Sequence, residues 1–318
     1  SKKTLKMPNI PIIAEGASMQ GFCELEKVAT IVLAWNHKED TAEALKSILL
    51  SDYPDFDIIL VDNNSTDGTL EMMTKDFPSV HVLSSGANLG VAGGYNLGIQ
   101  YAMDQGYEFI LIANNDITVH PEMLKELVRF ASLDEKIGMV MPKIYHYYGD
   151  RTRLWCTGAH WRSFPPAVIM TNHGRLEQDV DTLPDRIDFA PSCVLLLKRE
   201  MIEKVGYFDT EYFFFYDDWD YSKRVSLAGF SIGFVNTAIL WHKVSVSTFK
   251  SEKPMVWWRR MGLSAAIYAK RYLSGGSGLF FMLWIGLREI LTGNVKRGIS
   301  IFKGWRDYNE RRRCHNAA

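Results

Sequence analysis

Four short apolar runs, each followed by a segment with helical periodicity or a glycine-rich turn, alternate along the first part of the chain. They lie at Val28–Ala34, Asp57–Val61, Val80–Leu83 and Phe109–Ala113. Runs this short, rich in β-branched residues and without a polar face, are typical of strands that are covered on both sides. Strands that alternate with helices through short connections predict an α/β fold, with a mostly parallel sheet and helices on both faces.

Polar side chains gather just beyond the carboxyl ends of these runs. They are Asn36, Asp62, Asn88, Asn114 and Asp116. In an open α/β sheet this edge is where ligands bind, so the pattern predicts a nucleotide crevice. Single positions have simpler explanations: Asp116 alone is typical of a turn or helix cap, and Asp67 of a residue that caps the next helix. Asp62 is not explained by capping and could accept hydrogen bonds from a base or ribose.

A glycine-rich stretch follows the third run, and it includes Asn88 and Gly90. Glycines allow the backbone to approach a ligand closely, but they also suit a helix packed tightly on a sheet, and both interpretations stay open. The spacing matches neither the dinucleotide pattern G-x-G-x-x-G nor a P-loop. Residues 143–186 are rich in tyrosine and tryptophan, including Trp155, and form either a loop-rich insertion or an antiparallel flap.

Three carboxylates, Asp217, Asp218 and Asp220, follow an aromatic run within four residues. They could simply favour the positive end of a helix dipole. They also repel one another, which is costly unless a cation or a reaction requires them, since carboxylates can bind a metal, accept a proton or orient a hydroxyl group. His242 ends a later apolar run; a lone histidine is usually structural, but here it could also reach a metal.

The overall composition is that of an ordinary globular protein, with 47% hydrophobic and 23% charged residues. The net charge of −1 argues against nucleic-acid binding, although residues 288–313 carry an excess of five positive charges. The four cysteines have no metal-ligand spacing, and no leader sequence is recognisable. These features predict a reducing, cytoplasmic location.

Five motifs occur in an order and spacing that resemble one known family. They are VDNNSTDGT, SSGANLGVAGGYNLG, ANND, FYDDWDY and LWH, between about Val28 and His242. The chain resembles the inverting glycosyltransferases of family two, and is most similar in pattern to rhamnosyltransferases and galactofuranosyltransferases. The resemblance implies the GT-A fold, a Rossmann-like, mostly parallel sheet. It also implies transfer from a nucleotide-sugar donor, either dTDP-rhamnose or a UDP-sugar, to a glycan or lipid-linked acceptor in cell-surface polysaccharide synthesis.

The resemblance also implies a role for each matching residue. Residues that would border the nucleotide are Asn36, Asp62, Asp67, Asn88, Gly90, Asn114 and Asn115. Asp116 and His242 would bind Mg²⁺ or Mn²⁺, with Asn114 in place of the first acid of the family's D-x-D motif. Asp218 would be the general base, supported by Asp217. Asp220, Trp219 and Trp155 would contact the acceptor.

Three regions are expected: an irregular lead-in at 1–27, a catalytic domain at 28–249 and a helical extension at 250–318. The apolar run Gly278–Leu287 is too short to span a bilayer, which needs about twenty residues. Its basic and aromatic neighbours favour peripheral contact with the inner face of the cell membrane, whereas the alternatives are a helical hairpin that covers the catalytic domain or a homodimer contact. Other possible functions are a nucleotide-sugar-binding scaffold without activity and, disfavoured by the glycine spacing, a dinucleotide-dependent oxidoreductase.

Overall fold

A computed structural model describes residues 26–184, 186–244, 254–274 and 276–316. The expected lead-in therefore lies almost wholly outside the described residues. The helices are α1 (Lys38–Leu49), α2 (Thr69–Asp76), α3 (Gly90–Asp104), α4 (Met123–Ala131), α5 (Arg199–Val205), α6 (Asp217–Leu227), α7 (Pro254–Tyr272), α8 (Gly276–Leu291) and α9 (Val295–Asn316). The strands are β1 (Val28–Ala34), β2 (Phe56–Asp62), β3 (His81–Ser84), β4 (Phe109–Asn114), β5 (Ile117–Val119), β6 (Ile137–His146), β7 (Leu154–Cys156), β8 (Ala159–Arg162), β9 (Ala167–Met170), β10 (Val194–Lys198) and β11 (Ser231–His242).

Nine strands form one twisted sheet in the order β3-β2-β1-β4-β10-β6-β11-β5, with β7 added beside β6. Strands β1, β2, β3, β4, β6 and β11 run in one direction, and β5, β7 and β10 run against them. The sheet is therefore mixed but mostly parallel, as the sequence predicts. The sequence does not reveal that β10 lies between β4 and β6, although this strand shapes the site.

The centre of the sheet is buried on both faces, which explains its unbroken apolar runs. All seven residues of β1 are buried, and so are the first five of β4. Helix α4 covers the sheet with Leu124, Leu127 and Val128, the three residues that its periodicity predicts to face inward. Strand β5 is only three residues long and is not apparent from the sequence.

The aromatic segment at 143–186 contains a small antiparallel hairpin. Strands β8 and β9 pair with each other outside the main sheet, with Ala159 opposite Met170. Of the two interpretations of this segment, the antiparallel flap is confirmed. Its Trp161 packs edge-on against Trp219 of α6, at 5.6 Å between ring centroids, so the flap lies beside the start of that helix.

Helices α7, α8 and α9 pack together and against the aromatic residues that precede α6. A second apolar core contains Tyr212, Tyr216, Tyr268 and Phe281. Helices α7 and α9 approach closely because Gly304 lies against the backbone of α7, where a Cβ atom would come within 1.9 Å of the Arg259 carbonyl oxygen. Within the ranges given above, no helix combines the length and the apolar character needed to cross a bilayer.

Candidate active site

Asp116 and His242 are brought together by the pairing of β5 with β11. The register places His242 opposite Ile117, the residue that follows Asp116, and Lys243 N donates a hydrogen bond to the Asp116 carbonyl oxygen at 2.9 Å. The two side chains then meet: His242 Nε2 lies 3.2 Å from Asp116 Oδ1. Both are buried, so two residues that are 126 positions apart form one polar pair beyond the end of β4.

The chemistry of this pair fits a divalent cation that also binds a substrate. Burial by itself raises the pKa of Asp116, but the adjacent His242 and its hydrogen bond outweigh that effect and lower the pKa, so Asp116 is held as a carboxylate. His242 Nδ1 is buried and has no hydrogen-bond partner. Among the described residues no three His, Cys, Asp or Glu side chains are grouped to hold a metal. As ligands, Asp116 and His242 would leave the other coordination positions of a divalent cation to phosphate oxygens and water, as is usual for Mg²⁺.

A cavity of about 210 Å³ opens beside this pair. We call it the donor cavity; its lining is Leu33, Trp35, Asn63, Asn88, Gly90, Val91, Asn114, Asn115, Asp116, Phe213, Phe214, His242 and Trp257. The glycine-rich stretch forms one wall. Gly90 has a φ of +74°, and a Cβ atom there would come within 2.2 Å of the Phe213 carbonyl oxygen, so only glycine fits between α3 and the segment before α6.

Asn63 holds the glycine-rich wall in place. Its Nδ2 donates to the Gly90 carbonyl oxygen at 3.0 Å, and its Oδ1 accepts from Leu89 N at 2.9 Å. Asn88 Oδ1 accepts from Gly90 N at 2.9 Å. The amides therefore fix the backbone at the start of α3. Asn88 and Gly90 line the donor cavity, where the sequence predicts nucleotide contact.

The other predicted nucleotide residues are engaged within the loops at the ends of β1 and β2. Asp62 is buried and accepts from Ser65 N, and Asn36 Oδ1 accepts from Thr66 N at 2.8 Å. Asp67 accepts from Lys38 N and from Thr69 N, so it joins the first residues of α1 and α2 and does not serve as the N-cap residue of α2, which is Gly68. These bonds shape the loops.

Asn115 is also held by its own hydrogen bonds. Its Nδ2 donates to Thr41 Oγ1 at 2.9 Å and to the Asn36 carbonyl oxygen at 3.1 Å. The side chain is buried, yet it lines the donor cavity. Asn115 thus ties the end of β4 to the end of β1 and to α1.

Asp217 and Asp218 lie at the start of α6, after two residues with an unusual backbone. Phe215 and Tyr216 both have a φ of +64°, a conformation that bulky side chains rarely adopt and that is characteristic of functional sites. Asp217 is buried, and its Oδ2 accepts from Ser192 Oγ at 3.2 Å. Burial raises the pKa of Asp217 to about 6. Burial and the neighbouring Asp217 carboxylate raise the pKa of Asp218 as well.

These two acids line a second cavity of about 330 Å³, which we call the acid cavity. It is lined by Val91, Asn114, Trp155, Pro191, Ser192, Cys193, Phe214, Phe215, Tyr216, Asp217, Asp218, Trp219 and Met261. Val91, Asn114 and Phe214 border both cavities, so the two sites are adjacent. The sequence places their acids about a hundred residues apart, and the fold makes them neighbours.

Strand β10 makes this adjacency possible. Because β10 runs antiparallel to β4, its start lies at the end of β4, where Asn114 N donates to the Cys193 carbonyl oxygen at 2.9 Å. The Tyr95 hydroxyl group lies 2.7 Å from Asn114 Oδ1 and 3.0 Å from the Ser192 carbonyl oxygen. Ser192 in turn contacts Asp217. A short hydrogen-bonded path through Tyr95 therefore joins the donor side to the acid side.

Two of the three predicted acceptor residues lie at the acid cavity. Trp155 and Trp219 both line it, and the Trp155 ring meets His242 edge-on at 4.9 Å. Asp220 is placed differently from the prediction. It is fully buried, and Arg224, Arg271 and Tyr272 all donate to its carboxylate. It faces α7 because it lies on another side of α6, and there it joins the catalytic segment to the C-terminal helices.

Several lining residues have little signal in the sequence. Asn63 stands in the polar loop after β2, where no local pattern distinguishes its side chain from its neighbours. Trp257 and Met261 lie one turn apart on α7, beyond the residues that carry motifs, and they border the donor and acid cavities respectively. Their helical spacing is the only sequence signal they give.

The fold is that of a GT-A-like α/β domain, with two adjacent cavities near the end of β4. Glycosyl transferase family 2 matches residues 30–206, which is more than half of the chain. The chain therefore belongs to glycosyl transferase family 2, and the resemblance predicted from its motifs is confirmed.

Individual proteins resemble this chain at low sequence identity. The low-salt glycan biosynthesis hexosyltransferase of Haloferax volcanii is 23% identical over 219 residues, covering 66% of this chain and 64% of that protein. The N-acetylglucosaminyl-diphospho-decaprenol L-rhamnosyltransferase of Mycobacterium tuberculosis is 28% identical over 221 residues, covering 64% of this chain and 72% of that one. A mannosyltransferase of Pyrobaculum calidifontis, solved with GDP-Man and Mn²⁺, superposes with a TM-score of 0.54 at 16% identity, over 87% of this chain and 74% of that chain.

Proposed function

We propose that this chain transfers a sugar from a nucleotide-diphosphate donor to a saccharide or lipid-linked acceptor with inversion at the anomeric carbon. One observation carries the proposal: the Asp116–His242 pair and the Asp217–Asp218 pair line adjacent cavities that share Asn114. A donor that spans the two cavities presents its diphosphate to one pair and its anomeric carbon to the other. Both relatives named above are sugar transferases, and one has a lipid-linked acceptor in its name.

In this mechanism Asp218 is the general base. The acceptor hydroxyl oxygen bonds to the anomeric carbon, the bond from that carbon to the diphosphate breaks, and the hydroxyl proton passes to the Asp218 carboxylate. A carboxylate whose pKa is raised by burial and by a neighbouring negative charge is a stronger proton acceptor than an ordinary one, and a positioned base contributes roughly 10²–10⁴-fold. Asp217 keeps that pKa high through its charge and fixes the helix start through Ser192.

Asp116 and His242 would hold Mg²⁺ or Mn²⁺ together with the diphosphate. A bound divalent cation neutralises the charge that develops on a leaving diphosphate, which is worth several kcal/mol. The chain's own contribution is to keep Asp116 ionised, to orient both side chains through the β5–β11 pairing, and to enclose the site with the glycine-rich wall. Asn114 occupies the first position of the D-x-D motif and presents an amide in place of a carboxylate.

The donor and the stereochemistry are tested together. Purified protein is incubated with dTDP-rhamnose, UDP-sugars and GDP-sugars, with Mg²⁺ or Mn²⁺, and with a polyprenyl-diphosphate-linked N-acetylglucosamine acceptor. We expect the release of one nucleoside diphosphate and a product whose anomeric configuration, measured by NMR, is opposite to that of the donor. A product with retained configuration, or no turnover of any donor or acceptor combination, would contradict the proposal.

The C-terminal helices are proposed to rest on an anionic lipid surface. Leu279, Leu283, Leu287 and Leu291 recur every fourth residue of α8 and are exposed by 39–85%. Exposed Lys296 and Arg297 follow at the start of α9. An apolar stripe beside basic side chains matches the interface of a membrane that contains anionic lipid. Such contact would bring the acid cavity near a lipid-linked acceptor on the inner face of the membrane.

Flotation with vesicles tests this contact. We expect co-flotation with vesicles of phosphatidylglycerol and phosphatidylcholine, much less with phosphatidylcholine alone, and a loss in the double variant Leu283→Glu, Leu287→Glu. The matched control Leu50→Glu, Leu133→Glu changes two exposed leucines outside α7–α9 and should float normally. If the wild type does not float, or if both double variants float equally well, the stripe does not bind lipid. A concentration-dependent dimer that the α8 variant disrupts would assign the stripe to a second copy of the chain.

A further inference from the structure

Trp257 carries a polar group that the fold leaves without a partner. The residue is 4% exposed, and its Nε1 has no hydrogen-bond partner. Native proteins rarely leave a buried donor unsatisfied, so such a group calls for a ligand or for a structural explanation. Four buried side-chain atoms in the described part of the chain share this condition, and two of them, His242 Nδ1 and Trp257 Nε1, belong to residues that line the donor cavity.

The ring of Trp257 is held firmly at the cavity wall. It packs edge-on against Phe214, at 4.6 Å between centroids, and Ser264 Oγ of the same helix donates to the Phe214 carbonyl oxygen at 2.9 Å. The Arg271 guanidinium fixes the end of α7 to the buried Asp220. An N–H group that is already fixed in orientation loses little conformational freedom when a ligand binds, so this indole is well suited to donate a hydrogen bond to a ligand.

The chemistry of the group limits what it can bind. An indole N–H donates and cannot accept, so its partner must be an acceptor. The Arg260 guanidinium lies 4.0 Å from the centroid of the Phe213 ring and 5.4 Å from that of Trp257, which places positive charge at the same wall. Anionic oxygens are therefore the favoured acceptors, because hydrogen bonds to charged groups are the stronger ones.

The position of Trp257 along α7 indicates which part of the donor it meets. Met261 lies four residues further along, about 6 Å along the helix axis, and lines the acid cavity where the transferred sugar would sit. Trp257 itself lines the cavity that contains Asp116 and His242, the pair proposed to bind the diphosphate, so the part of the donor nearest to it would be the phosphate that is joined to the sugar.

On the basis of the proposed function, we propose that Trp257 Nε1 donates a hydrogen bond to the outer phosphate of the nucleotide-sugar donor, that is, the β-phosphate, which is joined to the sugar. The C-terminal helical region then supplies part of the donor site, although it lies outside residues 30–206 that match the family. Trp257 is a binding residue that keeps the diphosphate beside Asp116 and His242. The position of α7 therefore affects the affinity for the nucleotide-sugar donor.

Calorimetric titrations of the whole chain with Mg²⁺ test the proposal. UDP, dTDP and GDP are compared with UMP, dTMP and GMP, in the wild type and in Trp257→Phe, which keeps an aromatic ring and removes the N–H. We expect the variant to bind the preferred diphosphate about tenfold more weakly or worse, and the corresponding monophosphate with nearly unchanged affinity. In transfer assays its KM for the donor should rise more than its kcat falls.

Trp258→Phe is the matched control, because Trp258 is the next residue of α7 and its ring lies under Arg297 of α9, at 5.0 Å. It should leave both affinities unchanged. Equal diphosphate affinity in Trp257→Phe and the wild type would overturn the inference and leave the proposed function standing. Equal losses for monophosphate and diphosphate would overturn the assignment to the outer phosphate. If the wild type binds none of the three diphosphates, the proposed function fails, and the inference fails with it.

A measurement on the unsubstituted chain covers the case in which Trp257→Phe does not fold. In protein labelled with ¹⁵N-tryptophan, the Nε1–H resonance of Trp257 is assigned through its contacts with Phe214. We expect it to move downfield with the Mg²⁺ complex of the diphosphate and to stay in place with the monophosphate. A resonance that both nucleotides leave unmoved would contradict the hydrogen bond.

Discussion

The two acidic sites of this protein contain the same side chain in opposite surroundings. Asp116 lies against His242, which lowers its pKa, whereas Asp217 and Asp218 lie next to each other and their pKa values are raised. Proteins assign different roles to chemically identical groups by such differences in environment. A carboxylate that stays ionised suits a cation and a diphosphate, and one with a raised pKa suits proton transfer. On the proposed mechanism, this difference lets one crevice hold the leaving group on one side and a base on the other.

The largest effect is expected on the transfer rate when Asp218, in the acid cavity, is replaced. Asp218→Asn removes the proton acceptor but keeps its shape, so the transfer rate should fall about 10²–10⁴-fold. Product release in a coupled transfer assay measures it. Asp104→Asn, on the exposed end of α3, is the control. A variant that retains near-normal turnover would show that another group takes the proton.

A second prediction uses Asp220, the acid that the sequence groups with Asp217 and Asp218 but the structure does not. Its carboxylate is fully buried between Arg224 and Arg271. Asp220→Asn removes the negative charge that Arg224, Arg271 and Tyr272 all contact, and it should lower the free energy of unfolding by about 1–3 kcal/mol. Asp218→Asn, in contrast, removes a carboxylate that burial disfavours and should raise the melting temperature at neutral pH. Thermal unfolding followed by circular dichroism tests both predictions. If both variants change the melting temperature in the same direction and by a similar amount, the two acids do not differ as described.

A third prediction concerns pH. Because Asp218 must be deprotonated to act and its pKa is raised, the transfer rate should increase as the pH rises through that pKa. Asp217→Asn removes the neighbouring negative charge and so lowers the pKa of Asp218, which should move the rising limb of the pH–rate profile to lower pH. Profiles of kcat/KM for the wild type and the variant measure the shift. A limb that stays in place, or moves to higher pH, would contradict the coupling of the two acids.

The smallest effect is expected at the link between the sites. Tyr95 is fully buried and joins Asn114 to Ser192, which holds Asp217. Tyr95→Phe removes one hydrogen-bonding hydroxyl group and should lower kcat/KM about fivefold to tenfold, equivalent to about 1 kcal/mol. Tyr101→Phe, on the same helix, is the matched control. Equal activities of the two variants would mean that the sites are positioned independently.

The sequence predicts the strands and helices of the molecule better than the long-range contacts between them. The apolar runs identify β1, β2 and β4 because strands buried on both faces need unbroken apolar sequence. Strand β5, by contrast, has three residues and gives no signal, yet its pairing with β11 joins Asp116 to His242 across 126 positions.

The acid side shows the same limit. Asp217, Asp218 and Asp220 look equivalent in the sequence. Asp220 lies away from the acid cavity because its side of α6 faces Arg271, which is 51 residues further along the chain. Trp257 belongs to no motif, and its importance lies in an unpartnered Nε1 that only the fold reveals. Long-range pairing decides each of these cases, and local sequence patterns carry no information about it.

The contrast between the two sites is tested most directly by calorimetric titration of the nucleoside diphosphate, with Mg²⁺, into Asp116→Asn and Asp218→Asn. We expect Asp218→Asn to bind the diphosphate with wild-type affinity although it transfers sugar about 10²–10⁴-fold more slowly, and Asp116→Asn to bind the diphosphate at least about tenfold more weakly. Wild-type affinity in Asp116→Asn, or a comparable loss in Asp218→Asn, would contradict the division of the crevice into a diphosphate side and a proton-transfer side.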